Sequence, residues 1–497
     1  MLRPPLQRLR CRSFVGLLAS GGLLALALPL LTTEVGRAQQ TEPQVRVLLL
    51  ESNDLTVSGL SGGLRVRDAG GTVLAEAPGG QNLQLRLAGG LVEALGLPRP
   101  LRVNELWIEP LADGGAEGGL GLQNRRYRGR LQLLPGSSSL RVINHLGIET
   151  YLPSVVGSEM PASWPLEALR AQAVAARTYA LQQRKPAAPF DLRATVASQA
   201  YRGVEAETPS TWEAVRATRA LVLTYQGDLI NAVFHSSSGG STENSGDLWS
   251  RQLPYLVSVP DFDDLSPVRE WRQVLQADAL QRAFAEIGGA SRIEVLATTS
   301  TGRVRQVRVV GPRGQLLLSG AELRSRLGLK STTVRFEPLP TGSALAVGGF
   351  QPVGGSQPVG GSQSVGQSPP DGPAQSSGRP PSSLRPSPWL RDSAPVDSAT
   401  GVSLQDPPIF PPGARLESPP PAGLVAIGRG FGHGVGMSQW GAYGMARRGE
   451  GFEGILRHFY RGAVVGPFRD LTAQVPATLP LEGPLRIPTV LANRVRP

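Results

Sequence analysis

The sequence predicts an α+β fold, in which a strand-rich N-terminal part packs with a mixed α/β core. Residues 44–145 consist of short segments that alternate apolar and polar residues between Gly-rich turns, as half-buried β-strands do. Residues 148–184 instead have a helical pattern, which is interrupted once by a Pro-rich kink. Because period-2 strands occur together with one long helical run, the α+β class is favoured over a continuous parallel βαβ array.

The N-terminus predicts export. Residues 1–12 are basic, residues 13–33 are uncharged and mostly apolar, and Gly36-Arg37-Ala38 fits a small-x-small cleavage site, so residues 1–38 are predicted to be a signal peptide. The expected location is the periplasm or cell wall. The apolar run is also long enough to span a bilayer, so an uncleaved membrane anchor is the alternative. The single cysteine, Cys11, precedes this run, and the mature chain would therefore have no disulfide.

The net charge of the chain indicates which kinds of binding partner to expect. The 497 residues include 50 Lys and Arg against 39 Asp and Glu, which gives a net charge of +11. This excess favours an anionic partner such as a wall polymer or a membrane surface. No basic run with interleaved aromatic residues is present, so we expect no nucleic-acid partner.

The remaining segments are predicted in chain order. Residues 146–339 form the first part of the core, with Ser163 as the N-cap of the second helix in the helix–kink–helix run. Residues 340–423 are rich in Pro, Gly, Ser and Gln, contain QPVGGS twice, and are predicted to be a disordered insertion. Folded character returns over residues 424–470, and residues 471–497 form a tail without an assigned role.

Glu159 is the candidate catalytic acid. It lies in the run VVGSEMP, at the junction before the Ala-rich helix, with Val155, Val156, Met160 and Trp164 nearby in sequence. Desolvation by such neighbours raises the pKa of a carboxyl and suits it to donating a proton near neutral pH. The alternative is an ordinary surface acid in a loop.

Two further motifs contain candidate binding residues. Glycine occupies every second position from 428 to 436, which in an extended strand would leave one face bare for a flat ligand and place His433 on the other; tight packing at a bend is the alternative. The polar loop from His235 to Ser245 could bind glycan hydroxyls or be an ordinary turn. The predicted substrate-binding residues are Arg177, Tyr201, His235, Ser238, Gly239, Gly240, His433 and Gln439.

Several reaction classes are not supported by the motifs. The sequence has no GxSxG and no HExxH, and its four histidines have no metal-like partner at close spacing. We therefore predict no serine hydrolase, no metal site and no cofactor. Arg177 shares a helix side with Arg170 and Arg184, which favours either a solvated face or partial burial of Arg177 against a carboxylate.

Four segments together resemble the stage II sporulation protein D family, also known as the SpoIID/LytB domain. They occur in the family's order and cover about residues 140–337 and 424–465; their sequences are IETYLPSVVGSEMPASWPLEALRAQAVAARTYAL, FHSSSGGSTENSGDLW, PYLVSVPD and GRGFGHGVGMSQWGAYGMA.

The resemblance implies a function. Family members include lytic transglycosylases that cleave peptidoglycan glycan strands stripped of stem peptides; their catalytic acid matches Glu159, and an Arg needed for function matches Arg177. Some members bind zinc through a His and nearby Cys; His235 matches the His, but serines stand at the cysteine positions. Other members are amidase enhancers, so the alternative is a non-catalytic wall-binding module that stimulates an N-acetylmuramoyl-L-alanine amidase.

A transglycosylase needs one acid, because the C6 hydroxyl of the sugar is the nucleophile and the product has a 1,6-anhydro end. Ordinary glycosidases usually need two carboxylates. A second carboxylate could come from Asp247, Asp261, Asp263 or Asp264, but nothing in the sequence places one of them opposite Glu159.

Overall fold

The structure, a computed structural model, describes residues 42–60, 62–111, 119–249, 251–339 and 423–468. The predicted signal peptide, the predicted insertion apart from Gly423, and the predicted tail lie outside these ranges. Within them, no helix is long and apolar enough to cross a membrane.

The N-terminal part is built from twelve strands among the described residues. They are β1 (Gln44–Ser52), β2 (Asp54–Gly59), β3 (Leu64–Arg67), β4 (Val73–Ala77), β5 (Asn82–Ala88), β6 (Leu91–Leu95), β7 (Leu101–Val103), β8 (Leu106–Pro110), β9 (Leu120–Leu122), β10 (Arg125–Tyr127), β11 (Arg130–Pro135) and β12 (Leu140–Gly147).

The remaining part mixes helices with short strands. The described helices are α1 (Ile148–Glu159), α2 (Leu166–Gln182), α3 (Pro209–Ala217), α4 (Ser245–Leu248), α5 (Ala277–Ala283), α6 (Gly320–Leu327), α7 (Gln439–Arg447) and α8 (Phe452–Phe459), with 3-10 turns at Val204–Ala206 and Ala285–Ile287. The strands are β13 (Leu192–Arg193), β14 (Leu221–Tyr225), β15 (Asp228–Leu229), β16 (Phe234–His235), β17 (Glu270–Gln276), β18 (Arg292–Thr298), β19 (Val304–Gly311), β20 (Gly314–Ser319), β21 (Thr333–Pro338), β22 (Gly423–Arg429), β23 (Met437–Ser438) and β24 (Val464–Pro467).

These elements confirm the α+β class. Two large sheets, ordered β13-β1-β12-β11-β8-β3-β4 and β10-β9-β2-β5-β6-β7, make up the N-terminal part, and four sheets of two or three strands accompany the helices. Nearly all pairings are antiparallel; β1–β13 and β16–β23 are the parallel ones among the described strands. Alternating burial along β2 and β5 matches the period-2 pattern from which the strands were predicted.

Two hydrophobic clusters stabilise the described chain. The larger one joins the N-terminal sheets to α1, α2, α7 and α8. The smaller one is formed by residues 271–334 together with residues 424–426, and includes the buried side chains of Trp271 and Phe284. Strand β22 belongs to this smaller cluster and lies between β17 and β21.

The pairing of β21 with β22 brings together the two chain ends that flank residues 340–422. The backbone N–H of Leu339 donates a hydrogen bond to the Gly423 carbonyl at 3.0 Å. Residues on either side of the Pro-rich run are therefore neighbours in one sheet. This arrangement supports the interpretation of that run as an insertion, which remains a prediction.

The junction between α1 and α2 forms for a local reason. Met160 is extended (φ −129°, ψ 143°), because a residue before proline disfavours the helical region, and α1 therefore ends at Glu159. Helix α2 begins at Leu166, after an N-cap at Pro165 that makes no side-chain cap bond. The prediction of Ser163 as the N-cap was wrong, because Pro165 itself is extended and delays the start of the helix by two residues.

Candidate functional site

Glu159 is the last residue of α1, and its half-buried carboxyl accepts hydrogen bonds from two separate segments. The backbone N–H of Ala200 donates to Oε1 at 2.8 Å, and Nε2 of Gln439 donates to Oε2 at 3.1 Å. Ala200 lies in the loop after β13, and Gln439 is the first residue of α7. Three parts of the chain therefore hold one carboxyl in a fixed orientation.

The environment of Glu159 favours a protonated carboxyl. Burial raises the pKa of Glu159 above its ordinary value, while the hydrogen bonds from Ala200 and Gln439 and the charge of Arg202 oppose the rise. A position at a helix C-terminus also disfavours a negative charge. Among the residues that the structure describes, the contributors to this shift are burial, Ala200, Gln439 and Arg202, and no carboxylate is one of them.

The polar loop and the Gly-rich segment meet close to Gln439. Strand β16 pairs in parallel with β23, so His235 lies opposite Ser438, the residue before Gln439. The Trp440 N–H donates to the Ser236 carbonyl at 2.9 Å. The structure therefore brings the Glu159 junction, the polar loop and the Gly-rich segment into one region.

The Gly-rich segment does not form the predicted bare-faced strand. Strand β22 ends at Arg429, and the glycines at 430, 432, 434 and 436 have φ values of +72°, +113°, +85° and +74°. Only glycine adopts such angles without strain, so the alternation serves a repeatedly turning loop, here named the Gly loop (residues 430–436). A Cβ at Gly434 would lie 2.2 Å from Nη2 of Arg303. The alternative, tight packing at a bend, was correct.

The ring centroids of the buried His235 and the half-buried His433 lie 5.4 Å apart. Nδ1 of His433 accepts a hydrogen bond from the Val435 N–H at 3.1 Å, and Nδ1 of His235 lies 3.2 Å from the Val435 carbonyl. Burial lowers the pKa of His433 to about 4, with Arg303 acting in the same direction, and burial also lowers the pKa of His235. Both rings are therefore neutral near pH 7 and act in packing the Gly loop.

A pair of buried aspartates fixes the polar loop from beneath. Ser237 Oγ and the Gly239 N–H donate to Oδ2 of Asp263 at 2.5 and 2.7 Å. The Ser238 hydroxyl donates to Asp261, whose own N–H donates to the Gly240 carbonyl at 2.9 Å. Burial and the charge of Asp263 raise the pKa of Asp261.

These contacts change the predicted roles in the polar loop. The Ser238 side chain is 4% exposed and its hydroxyl is occupied, so its prediction as a substrate ligand was wrong. Gly239 and Gly240 are half-buried and both adopt positive φ values, which explains the choice of glycine at these positions. None of the four acids considered as a second carboxylate hydrogen-bonds Glu159 in the described structure.

Arg177 lies in the core, and its prediction as a substrate-binding residue was wrong. Its side chain is 1% exposed and forms a bidentate pair with Glu149, with Nε–Oε1 at 2.9 Å and Nη2–Oε2 at 2.7 Å. Its Nη1 also donates to the Leu221 carbonyl at 3.1 Å. Burial lowers the pKa of Arg177, and Glu149 opposes that shift. Arg177 therefore links α1, α2 and β14, and its role is to stabilise the fold.

Tyr201 also belongs to the core. It is 1% exposed, its hydroxyl donates to Oδ1 of Asn144 at 2.9 Å, and its ring packs against Tyr127 and Tyr151 at 5.7 and 4.9 Å. The predicted substrate contact was therefore wrong. Its position does matter, because Tyr201 anchors the loop in which Ala200 donates to Glu159.

The residues present do not fit the zinc site that the family resemblance implies. Ser237 and Ser238 point their hydroxyls at Asp263 and Asp261, and Nδ1 of His235 is engaged by a carbonyl. Across the part of the chain that the structure describes, no three His, Cys, Asp or Glu side chains form a group that could hold a metal ion. Hydrogen bonds to the two aspartates hold the loop instead.

Sequence reasoning did not identify the charge of Arg202 near Glu159 or the contact between Trp164 and Trp440. The exposed Arg202 contributes a positive charge that lowers the pKa of Glu159. Trp164, in the junction after Glu159, contacts Trp440, which follows Gln439, at a centroid distance of 4.7 Å. The aromatic residues in EMPASWP and MSQWGAY were the available signal, but sequence alone does not show that the two segments meet.

The structure places the half-buried Glu159 carboxyl where α1, the loop after β13 and α7 meet, and comparison with known proteins matches this region to a family. Residues 136–225 match the family described as stage II sporulation protein, a range that contains Glu159 and Arg177. An uncharacterized protein of Brachyspira hyodysenteriae is 26% identical over 372 residues, which is 73% of this chain and 78% of that protein. The predicted resemblance to the stage II sporulation protein D family is therefore confirmed.

Two Bacillus subtilis proteins are also similar. Stage II sporulation protein D is 26% identical over 346 residues, covering 65% of this chain and 75% of that protein. The protein named amidase enhancer is 28% identical over 315 residues, covering 63% of this chain. The matched region spans only 40% of the amidase enhancer, so the similarity leaves out more than half of that relative.

Proposed function

We propose that the protein is an exported lytic transglycosylase that cleaves peptidoglycan glycan strands, with Glu159 as the general acid and base. The observation behind this proposal is the Glu159 carboxyl, whose pKa is raised by burial and which has no hydrogen-bonded carboxylate partner in the described part of the chain. A general acid needs a pKa near the working pH, and a reaction with an internal nucleophile needs only one such group. The family resemblance indicates the substrate.

The proposed reaction uses one proton twice. Protonated Glu159 gives its proton to the glycosidic oxygen as the bond to C1 breaks, and the C6 hydroxyl of the same sugar attacks C1. The Glu159 carboxylate then accepts the C6 hydroxyl proton, which regenerates the acid and leaves a 1,6-anhydro end. The Ala200 N–H and Gln439 Nε2 donate hydrogen bonds to the Glu159 carboxylate. They therefore stabilise its charged form between the two proton transfers.

The proposed location is the periplasm or the cell wall, where this substrate occurs. The basic and apolar pattern of residues 1–38 is the argument for export. Retention of that segment as an anchor would keep the protein at the membrane surface facing the wall.

A second candidate is a wall-binding module that stimulates an amidase. The similarity to the Bacillus subtilis protein named amidase enhancer favours it. A binding module does not require the raised pKa of Glu159, whereas an enzyme does. The Glu159 carboxyl has a raised pKa even though it accepts two hydrogen bonds, and a perturbed pKa of this kind is characteristic of catalytic acids.

The deciding experiment uses residues 39–497 on glycan strands with and without stem peptides. Products are analysed by mass for 1,6-anhydro ends, and Glu159→Gln is the matched variant because it keeps the shape and removes the proton. Loss of a general acid and base typically lowers the rate ~10²–10⁴-fold. If neither form yields anhydro ends and both stimulate a wall amidase equally, the enhancer candidate replaces the enzyme.

A further inference from the structure

Three half-buried aromatic side chains from the α1–α2 junction and α7 form a cluster, here named the aromatic platform (Trp164, Trp440 and Tyr443). The ring centroids of Trp164 lie 4.7 Å from Trp440 and 4.9 Å from Tyr443, and those of Trp440 and Tyr443 lie 5.3 Å apart. Trp164 follows Glu159 in the α1–α2 junction, and Trp440 follows Gln439, which donates to Glu159. The platform is therefore attached to the acid through both segments.

The indole N–H groups divide the described tryptophans into two sets. Those of Trp107, Trp212 and Trp271 donate to Glu105, Glu207 and the Gly430 carbonyl, at 2.7, 3.0 and 2.8 Å. Those of Trp164, Trp440 and Trp249 make no hydrogen bond to any residue that the structure describes. Trp249 is 37% exposed and contacts His433 at 6.1 Å, so all three lie where the Glu159 junction, the polar loop and the Gly loop meet.

This division has a chemical meaning. A buried tryptophan usually satisfies its N–H, as Trp271 does, and the half-buried Trp107 and Trp212 do so as well. A ring with an open N–H can present both an apolar face and a donor to a ligand that has apolar faces and hydroxyl or carbonyl acceptors. A pyranose ring with N-acetyl groups has both, since its axial C–H groups form an apolar face and its substituents accept hydrogen bonds.

We propose that the aromatic platform is a subsite that binds one sugar ring of the glycan strand by stacking, next to the bond that Glu159 cleaves. This inference rests on the proposed function for the identity of the ligand. Stacking on a rigid surface tied to Gln439 would fix the sugar relative to the Glu159 carboxyl. Positioning of this kind contributes to catalysis by holding the reacting atoms together.

The magnitude follows from the apolar area covered. A sugar ring that covers one indole face removes on the order of 60 Å² of apolar surface from water. At the usual transfer coefficient this corresponds to about tenfold in affinity. We therefore expect Trp440→Ala to weaken glycan binding about tenfold.

Trp212 offers a matched control. It is also half-buried and helical, but its N–H is bound by Glu207 and its ring contacts the guanidinium groups of Arg128 and Arg216 at 5.6 and 5.2 Å. Binding of peptide-free glycan oligosaccharides is measured by calorimetry in the Glu159→Gln background, which prevents cleavage. We expect Trp440→Ala to lose affinity and Trp212→Ala to keep it. Equal affinities, or no binding by the parent, would overturn the subsite.

A second measurement guards against misfolding of Trp440→Ala. In the parent protein, added oligosaccharide should shift the indole N–H resonances of Trp164 and Trp440 and leave that of Trp212 unchanged. Unshifted Trp164 and Trp440 resonances at saturating ligand would refute the platform. The two proposals can fail separately. If the protein forms anhydro ends but Trp440→Ala binds glycan as the parent does, only the subsite is rejected. If binding depends on Trp440 but no anhydro ends form, only the transglycosylase is rejected.

Discussion

Replacement of Arg177 by methionine tests whether this residue acts through the fold. The substitution keeps most of the side-chain volume and removes two hydrogen bonds to Glu149 and those to the Leu221 and Val215 carbonyls. Glu149, which is 8% exposed, would be left as a buried charge with the Ala220 N–H as a remaining donor. Breaking a buried ion pair in this way costs about 3–5 kcal/mol.

Such a loss is a large fraction of the stability of a typical domain, roughly 5–15 kcal/mol. Denaturant unfolding followed by tryptophan fluorescence measures it. Arg170→Met is the matched control on the same helix, because Arg170 pairs with Glu167 at side-chain exposures of 24% and 32%. A pair of this kind, which solvent still reaches, contributes about 0–1 kcal/mol.

The double variant Arg177→Met with Glu149→Leu separates the pair from the packing. Removing both charges should restore most of the lost free energy of unfolding, short of about 1 kcal/mol for the Ala220 N–H that loses its acceptor. A cost of Arg177→Met no greater than that of Arg170→Met would refute the reasoning. So would a stable Arg177→Met protein that specifically fails to bind glycan.

Three further outcomes are expected. Because folding raises the pKa of Glu159, the folded state binds its proton more tightly, and the stability of the wild type falls as pH rises from roughly 4.3 through the folded pKa. The Tm of Glu159→Gln should therefore rise relative to that of the wild type between pH 4 and pH 8. A Tm difference that shrinks over this range would contradict the prediction. Gln439→Ala removes a donor to the carboxylate, so the alkaline limb of the pH–rate profile should move to higher pH, and an unmoved limb argues against the contact. Gly434 and Gly449 have φ values of +85° and +89°, but only a Cβ at Gly434 would meet Arg303. In urea unfolding, Gly449→Ala should lower the free energy of unfolding by about 1–2 kcal/mol, and Gly434→Ala should lower it by more. Equal losses would exclude the steric argument.

The sequence predicted those features that follow from local patterns. Alternating strands, the helix–kink–helix run and the position of Glu159 at the kink depend on residues that are close in the chain, such as Pro161 and Pro165. The raised pKa of Glu159 also followed from its apolar neighbours. Sequence-local chemistry was sufficient for these features.

Features that depend on tertiary contacts were not predictable. Helix α2 has alanine on several sides, so its sequence pattern does not show which side is buried. Arg177 was assigned to substrate binding because its actual partner, Glu149, lies in a separate helix and could not be identified from sequence. Glycine at every second position fits both a strand and a loop of positive φ angles. Tertiary contacts of the glycines, such as those with Val233 and Arg303, decide between them.

The separation into two hydrophobic clusters has a consequence for local stability. The Gly loop connects β22, whose side chains fill the smaller cluster, to α7, whose side chains fill the larger one. Regions with few buried contacts can open without global unfolding, so amides of β17 and β22 should exchange hydrogen with solvent sooner than those of α1 and α2. Opening of the smaller cluster would free the start of the Gly loop, while Val435 stays packed in the larger cluster.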